Sequence, residues 1–276
     1  MTRRLVGVHG IGNLQRGTPA GEAAALLGAR WTAALRRGLG EGSDVVTDVA
    51  YYAHHLAGDT AQGAADPEHL TESEQRMLLS WADTLGAPAD VAQGRLTAPA
   101  RAAADWIARR FGLDNRLVRL LVTTFCREVH SYLAEPERRH AVRDTVASTV
   151  REYRPAVVLA HSLGSVVAYE TLWAHPDLQI ELLLTLGSPL ALPDVVYARL
   201  EPAPIGRTRR RPPGVRRWIN IADPGDFIAI PRGLAGWFDG VDADLTTPIG
   251  VFNFHKVTGY LSCTTNAAAV AAQLGR

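Results

Sequence analysis

Short apolar runs alternate with longer stretches of helical spacing along this chain. Leu5-Val6-Gly7-Val8 is the first run, and its length suits a buried strand. An Ala- and Leu-rich stretch with helical periodicity follows at roughly 21–39, and residues 44–52 read as a second strand. Ala156-Val157-Val158-Leu159 is another short apolar run, and Val166 to Trp173 behind it has helical spacing. Residues 181–186 and 215–221 predict two more strands, and 264–274 predicts a closing helix. Strand and helix in alternation predict an α/β fold, with a mostly parallel sheet flanked by helices on both faces.

About a hundred residues separate the second strand from the run at 156–159. This stretch, 53–153, is rich in Ala, Leu and Arg with helical periodicity. Leu113, Leu117, Leu120, Leu121, Phe125, Val129 and Tyr132 fall at i, i+4, i+7, i+8 spacing and predict one apolar stripe. No internal repeat is visible, and the Pro- and Gly-rich stretch 202–214 reads as a loop and not a boundary. The expectation is a single domain over 1–276 with a helical insertion at 55–135.

The residues that carry chemistry begin with Ala160-His161-Ser162-Leu163-Gly164. The pentad lies between a predicted strand and a predicted helix. A serine on so sharp a turn has its hydroxyl pushed outward, within reach of a base. The turn strains the backbone, so its neighbours two before and two after must be small; Ala160 and Gly164 meet that need. A bland alternative is a serine that merely caps the helix starting near Leu163. His9-Gly10-Ile11-Gly12-Asn13 follows the first strand, and its glycines let backbone N–H groups turn toward a neighbouring site. It is not a phosphate-binding P-loop, because no Lys followed by Ser/Thr closes the motif.

Strand then His-Gly-x-Gly, and strand then x-His-Ser-x-Gly, together resemble the α/β-hydrolase superfamily. The likeness is nearest to small lipases and esterases whose elbow also begins with alanine. It covers about 4–52 and 155–275 and leaves out the insertion. The resemblance implies an α/β-hydrolase fold, Ser162 as nucleophile, and backbone amides of Ile11 and Leu163 as oxyanion donors. It also implies the chain order serine, acid, histidine. Two histidines follow Ser162, His175 and His255. His175 lies at the far end of the helix that Ser162 begins, ~20 Å away at ~1.5 Å per residue, which leaves His255 as the base. For the acid, the superfamily favours the loop beyond a late strand. There Asp223-Pro224-Gly225-Asp226-Phe227-Ile228 offers two residues. Asp226 precedes an apolar pair as in the family pattern. Asp223 remains the alternative, although Asp-Pro-Gly is also a strong turn signal.

Composition narrows the partners. The net charge is +1 over 276 residues, which argues against general nucleic-acid binding. The run from Arg207 to Arg217 holds six arginines. It reads as a solvated loop, or as a contact for an anionic lipid surface or an acidic partner. Cys126 and Cys263 suggest buried free thiols and no disulfide framework. No secretion signal and no apolar span of membrane length is evident, so a cytoplasmic location is expected. His54, His55, Asp59 and His69 lack a regular ligand spacing, so no metal or other cofactor is expected.

The activity these residues imply is a serine hydrolase acting on a carboxylic ester, with a small-molecule or acyl substrate. A peptidase, thioesterase or acyltransferase would use the same triad, and an inert binding protein is the reading from another class. Helices within 56–135 would either cap Ser162, their stripe lining an acyl pocket, or simply cover the sheet and its edge.

Overall fold

A computed structural model describes residues 2–58, 66–94, 97–204, 206–250 and 255–275. In chain order the elements are β1 (Arg3–Val8), α1 (Ala20–Leu39), β2 (Val45–Ala50), α2 (Glu72–Thr84), α3 (Ala89–Ala92), α4 (Pro99–Phe111), α5 (Asn115–Ala134) and α6 (Pro136–Tyr153). Then come β3 (Val157–His161), α7 (Leu163–Ala174), β4 (Ile180–Leu186), β5 (Arg209–Arg210), β6 (Val215–Ala222), β7 (Phe238–Asp239), β8 (Ala243–Thr246), α8 (Val257–Ser262) and α9 (Thr264–Leu274).

Six strands form one sheet in the order β2-β1-β3-β4-β6-β8, and every neighbouring pair is parallel. Strands buried on both faces need apolar residues at odd and even positions alike. In β3, Val158 and Ala160 join the core under α2 and α4–α7, whereas Val157 and Leu159 join the one under α1, α8 and α9. The apolar run is thereby explained over 157–159, which has no solvent face; Ala156, just before the strand, is exposed. The chain leaves β1 toward β2 on one side and returns with β3 on the other. That reversal makes the carboxyl ends of β1 and β3 a topological switch point, the place where open α/β sheets bind ligands.

Helix α6 packs on α7 and on β1 and β2, so it covers the sheet. Helices α2, α4 and α5 pack mainly on one another and on α6. The expected stripe on α5 is corrected in part. Phe125, Val129 and Tyr132 are buried together with Val118, Val122 and Cys126, but Leu117 and Leu120 are 60% and 51% exposed. A periodicity of 3.6 places Val118 and Val122 on the face of Phe125 and Val129, and turns Leu117 and Leu120 about a quarter-turn or more away.

Strand β8 and helix α8 were not expected. β8 is short and alternates half-buried with exposed positions, as an edge strand does, so no apolar run marks it. The aromatic run Phe252-Asn253-Phe254, read as a last strand or its exit, lies outside the described residues; beyond it, His255 leads into α8. No helix among the described residues is long and apolar enough to cross a membrane. Cys126 and Cys263 are both free; Cys126 is buried as expected, but Cys263 is only half-buried, since it stands at the junction between α8 and α9.

Candidate active site

The expected residues gather at the carboxyl ends of β1, β3 and β6. Ser162 ends β3 and begins α7 with φ 53° and ψ −128°, a conformation costly for a residue with a Cβ, on the order of 1–3 kcal/mol. The elbow's packing explains why it persists. Ser162 N donates to Leu186 O on β4 at 3.0 Å. A Cβ at Gly164 would run into the backbone carbonyls of Val8 and His9, so only glycine lets the helix approach β1 this closely. Ser165 Oγ donates to Ser162 O at 2.6 Å and contacts Ser188 Oγ at 2.7 Å, which pins the first turn.

Ser162 is fully buried, and its side chain makes no hydrogen bond to cap α7. The capping alternative is therefore corrected: at this φ and ψ the hydroxyl is turned away from the helix amides. Its Oγ has no partner at all, and a buried polar atom left unpaired calls for an explanation.

The loop after β1 lies against the serine. A Cβ on Gly10 would stand 2.6 Å from Ser162 Cβ and 3.0 Å from His161 Nδ1. Four side chains staple the loop. His9 Nδ1–H donates to Gly10 O at 2.8 Å while Nε2 accepts from Tyr52 N at 3.2 Å. Both contacts need a neutral ring, and burial pushes the His9 pKa down to about 4. Tyr52 stacks on that ring at 4.0 Å and donates its hydroxyl to His9 O. Asn13 Nδ2 donates to Gly10 O and Ile11 O, and Glu128 Oε1 on α5 accepts from Gly12 N at 2.9 Å. Burial raises the Glu128 pKa to about 7, against the pull of the Gly12 N–H. The amides of Ile11 and Leu163 donate to no acceptor among the described residues. For Leu163 this follows from its place as the first residue of α7, since opening helix amides have no intrahelical partner.

Beyond β6 the two aspartates do different work. Asp223 Oδ1 accepts from Gly225 N and Oδ2 from Ile249 N, each at 2.6 Å, so its carboxylate holds the loop together and touches no histidine. Asp226, fully buried, accepts from His255 Nδ1 at 2.7 Å and from Tyr260 Oη at 2.7 Å on Oδ2. Its Oδ1 accepts from Ile228 N at 2.9 Å. A carboxylate only accepts, so Nδ1 of His255 carries a proton; in the tautomer this fixes for a neutral ring, Nε2 is the acceptor. That Nε2 is buried without a partner, as is Ser162 Oγ. The two are thus not hydrogen-bonded to each other here; such contacts commonly close only with substrate in place. His175 lies half-buried at the far end of α7, with Arg151 and Asp144.

Four contributors were missed by sequence reading. His161 Nε2 lies 3.0 Å from the carbonyl of His255, holding the loop that carries the ring, and burial pushes its pKa well below the usual histidine value. Tyr260 accepts from Asp223 N at 2.9 Å while donating to Asp226. Tyr52 and Glu128 brace the glycine loop. Only His161 sat within a noticed motif; Tyr52 falls within residues 44–52, expected as a strand, and Glu128 within an expected helix, while Tyr260 lies in α8, which was not expected. No group of three or more His, Cys, Asp or Glu among the described residues is placed to hold a metal, and Asp59 lies outside them. His55 Nε2 instead contacts Thr145 Oγ1.

The helical layer leans on both loops. Trp81 of α2 donates its indole N–H to Phe227 O at 3.1 Å, and the Phe111 ring of α4 lies 5.4 Å from that of Phe227, next to Asp226. No protein-family model, no curated protein and no solved structure gives a significant match to this chain.

Proposed function

We propose that the chain is a serine hydrolase of the α/β-hydrolase kind, cleaving carboxylic esters through an acyl-enzyme on Ser162. The observation that supports it best is the Asp226–His255 pair at 2.7 Å, which leaves Nε2 without a partner, as Ser162 Oγ is, while His161, the residue before Ser162, contacts the His255 carbonyl at 3.0 Å. In this reading His255 Nε2 takes the Ser162 proton as Oγ bonds to the ester carbonyl carbon. Asp226 keeps the ring oriented and stabilises the imidazolium. The Ile11 and Leu163 amides receive the negative oxygen; each such donor is worth about 100- to 1000-fold in rate. The proton then passes from Nε2 to the departing alcohol. Water attacks the acyl-serine and yields its proton to His255, which passes it to Ser162 Oγ as the acyl C–O bond breaks and the acid is released. The helical layer over 56–135 serves as a cap that leans on the glycine loop and on the acid loop.

Fluorophosphonate labelling followed by peptide mass mapping tests this. Ser162 is expected to be the labelled residue, with label lost in Ser162→Ala and His255→Ala and sharply reduced in Asp226→Ala. Asp223→Ala should lower thermal stability while retaining label per folded molecule. A folded wild type that takes no label, or takes it elsewhere, would sink the proposal.

A further inference from the structure

The basic run plays no part in the site above, and its arginines have separate fates. Arg211 pairs with Asp242 at 2.8 Å, and Arg216 with Glu181 at 3.1 Å. Arg209 is 2% exposed and makes no ion pair among the described residues. Its guanidinium donates to the carbonyls of Pro202 and Tyr197 and lies 4.9 Å from the centre of the Tyr197 ring. Nε has no partner. Two of the five donors on this fork thus go to carbonyls and the Tyr169 hydroxyl lies within its reach, but among the described residues no anion offsets the charge. A buried charge ordinarily has a counterion, because desolvation penalises it otherwise.

Arg209 lines a cavity of about 770 Å³, a size typical of sites for small organic molecules. Tyr169, Trp173, Pro202 and Pro204 give it apolar walls. The acidic groups at its margin are already engaged: Glu170 by Arg139 and Arg143, and Glu201 by the same two arginines. Two guanidiniums therefore answer two carboxylates, which leaves Arg209 and the neighbouring Arg210 in surplus. The Tyr169 hydroxyl supplies no counter-charge. Burial raises its pKa to about 12 against the pull of Arg209, and it donates to Arg210 O.

We propose that this cavity binds a small organic anion, its carboxylate or phosphate on the free face of the Arg209 fork and its apolar body against Trp173 and Tyr169. An arginine fork matches either oxyanion in geometry. The site lies at the opposite end of α7 from Ser162, ~17 Å away along the helix, and stands whether or not Ser162 is a nucleophile.

Phenyl phosphate and benzoate are the probes, titrated separately into Ser162→Ala protein so that nothing at the serine can be acylated or turned over. Saturable quenching of tryptophan fluorescence and a raised thermal midpoint are expected with at least one of them, and the tighter probe identifies the head group. Trp173→Phe should abolish the quenching. Arg209→Lys, which keeps the charge and loses the fork, should weaken binding by about tenfold. Should Arg209→Lys not fold, Trp173→Ala on the half-buried wall decides by the same loss of affinity. Two results overturn the proposal: no saturation by either probe up to about 10 mM, or binding that these substitutions leave unchanged.

Discussion

Asp226 and Glu170 are both buried carboxylates with hydrogen bonds on both oxygens, yet they are compensated in opposite ways. Glu170 is surrounded by Arg139, by Arg143 at 2.7 Å, by the Tyr132 hydroxyl at 2.7 Å and by Glu201 N at 2.8 Å. Burial alone would raise its pKa, but the two arginines and the phenol hold it below the ordinary glutamate value. Its charge is cancelled by permanent cations, and the cluster clamps α5 and α6 to α7. Asp226 has neither lysine nor arginine in ion-pairing range among the described residues; its donors are a phenol, a backbone amide and a histidine. Neutral donors keep a carboxylate in place without spending its charge. That charge is then available to a cation that forms on His255. The contrast separates a carboxylate neutralised by resident cations from one held by neutral donors, as the proposed role of Asp226 requires.

The sharpest break in this comparison is to remove each charge in turn. Asp226→Asn should cost about 10⁴-fold in the rate of fluorophosphonate labelling, because an amide facing Nδ1 favours the wrong tautomer, while a melting curve shows a much smaller change. A labelling rate within a few-fold of wild type would mean that Asp226 is only another structural carboxylate. Glu170→Gln should do the reverse. Leaving Arg139 and Arg143 without their buried partner should cost about 3 kcal/mol in chemical denaturation, partly relieved by Glu201, with labelling per folded molecule unchanged.

Tyr260→Phe lies between the two. It deletes one donor to Asp226 and leaves Asp223 N without its acceptor, so unfolding free energy should fall by about 1–3 kcal/mol and labelling by roughly tenfold. Denaturation and labelling of the same preparation check both halves; unaltered labelling would show that the His255 contact alone orients Asp226.

The smallest expected effect concerns the glycine loop. Glu128, raised to about 7 when folded, adds a buried charge only above that pH, so its contribution to stability declines as pH rises from about 4.5 to about 7. His9, held down to about 4, acts with the opposite sign: stability is lost as pH falls from about 6.5 to about 4. Glu128→Gln keeps an acceptor for Gly12 N and removes the charge. Its thermal midpoint should exceed wild type at pH 8 and converge with it near pH 4, by scanning calorimetry. Parallel pH profiles would rule out this role for Glu128.

Much of the sheet was legible because its central strands have no solvent face, so β1, β3 and β4 stand out as apolar runs. β8 was not, because an edge strand alternates, and Asp244 is used there to hold Asn220, Leu234 N and Ala235 N. On α5 the count of leucines misled: Leu117 and Leu120 look like core by type, but the helix period assigns that face to smaller Val118 and Val122. At the site, the serine and glycine loop were readable because strain and close approach restrict residue type locally. The residues that brace them were not, because Tyr52, Glu128 and Tyr260 act through contacts 43, 116 and 34 positions away along the chain.

From sequence alone followed the alternation of strand and helix, the elbow around Ser162, the glycine loop after β1 and a short list of acids and bases. These are local properties, set by periodicity and by which residues a tight turn admits. The tertiary structure set Asp226 and not Asp223 against the His255 ring: both sit in one loop, and Tyr260 of α8 and the His255 ring meet the Asp226 carboxylate. It also divided the arginines of one basic run into ion-paired, solvated and buried without a counterion. Charge and chemical type are written in the chain, but desolvation and pairing depend on neighbours brought in from elsewhere, and these are what turn a carboxylate or a guanidinium into a clamp or a site.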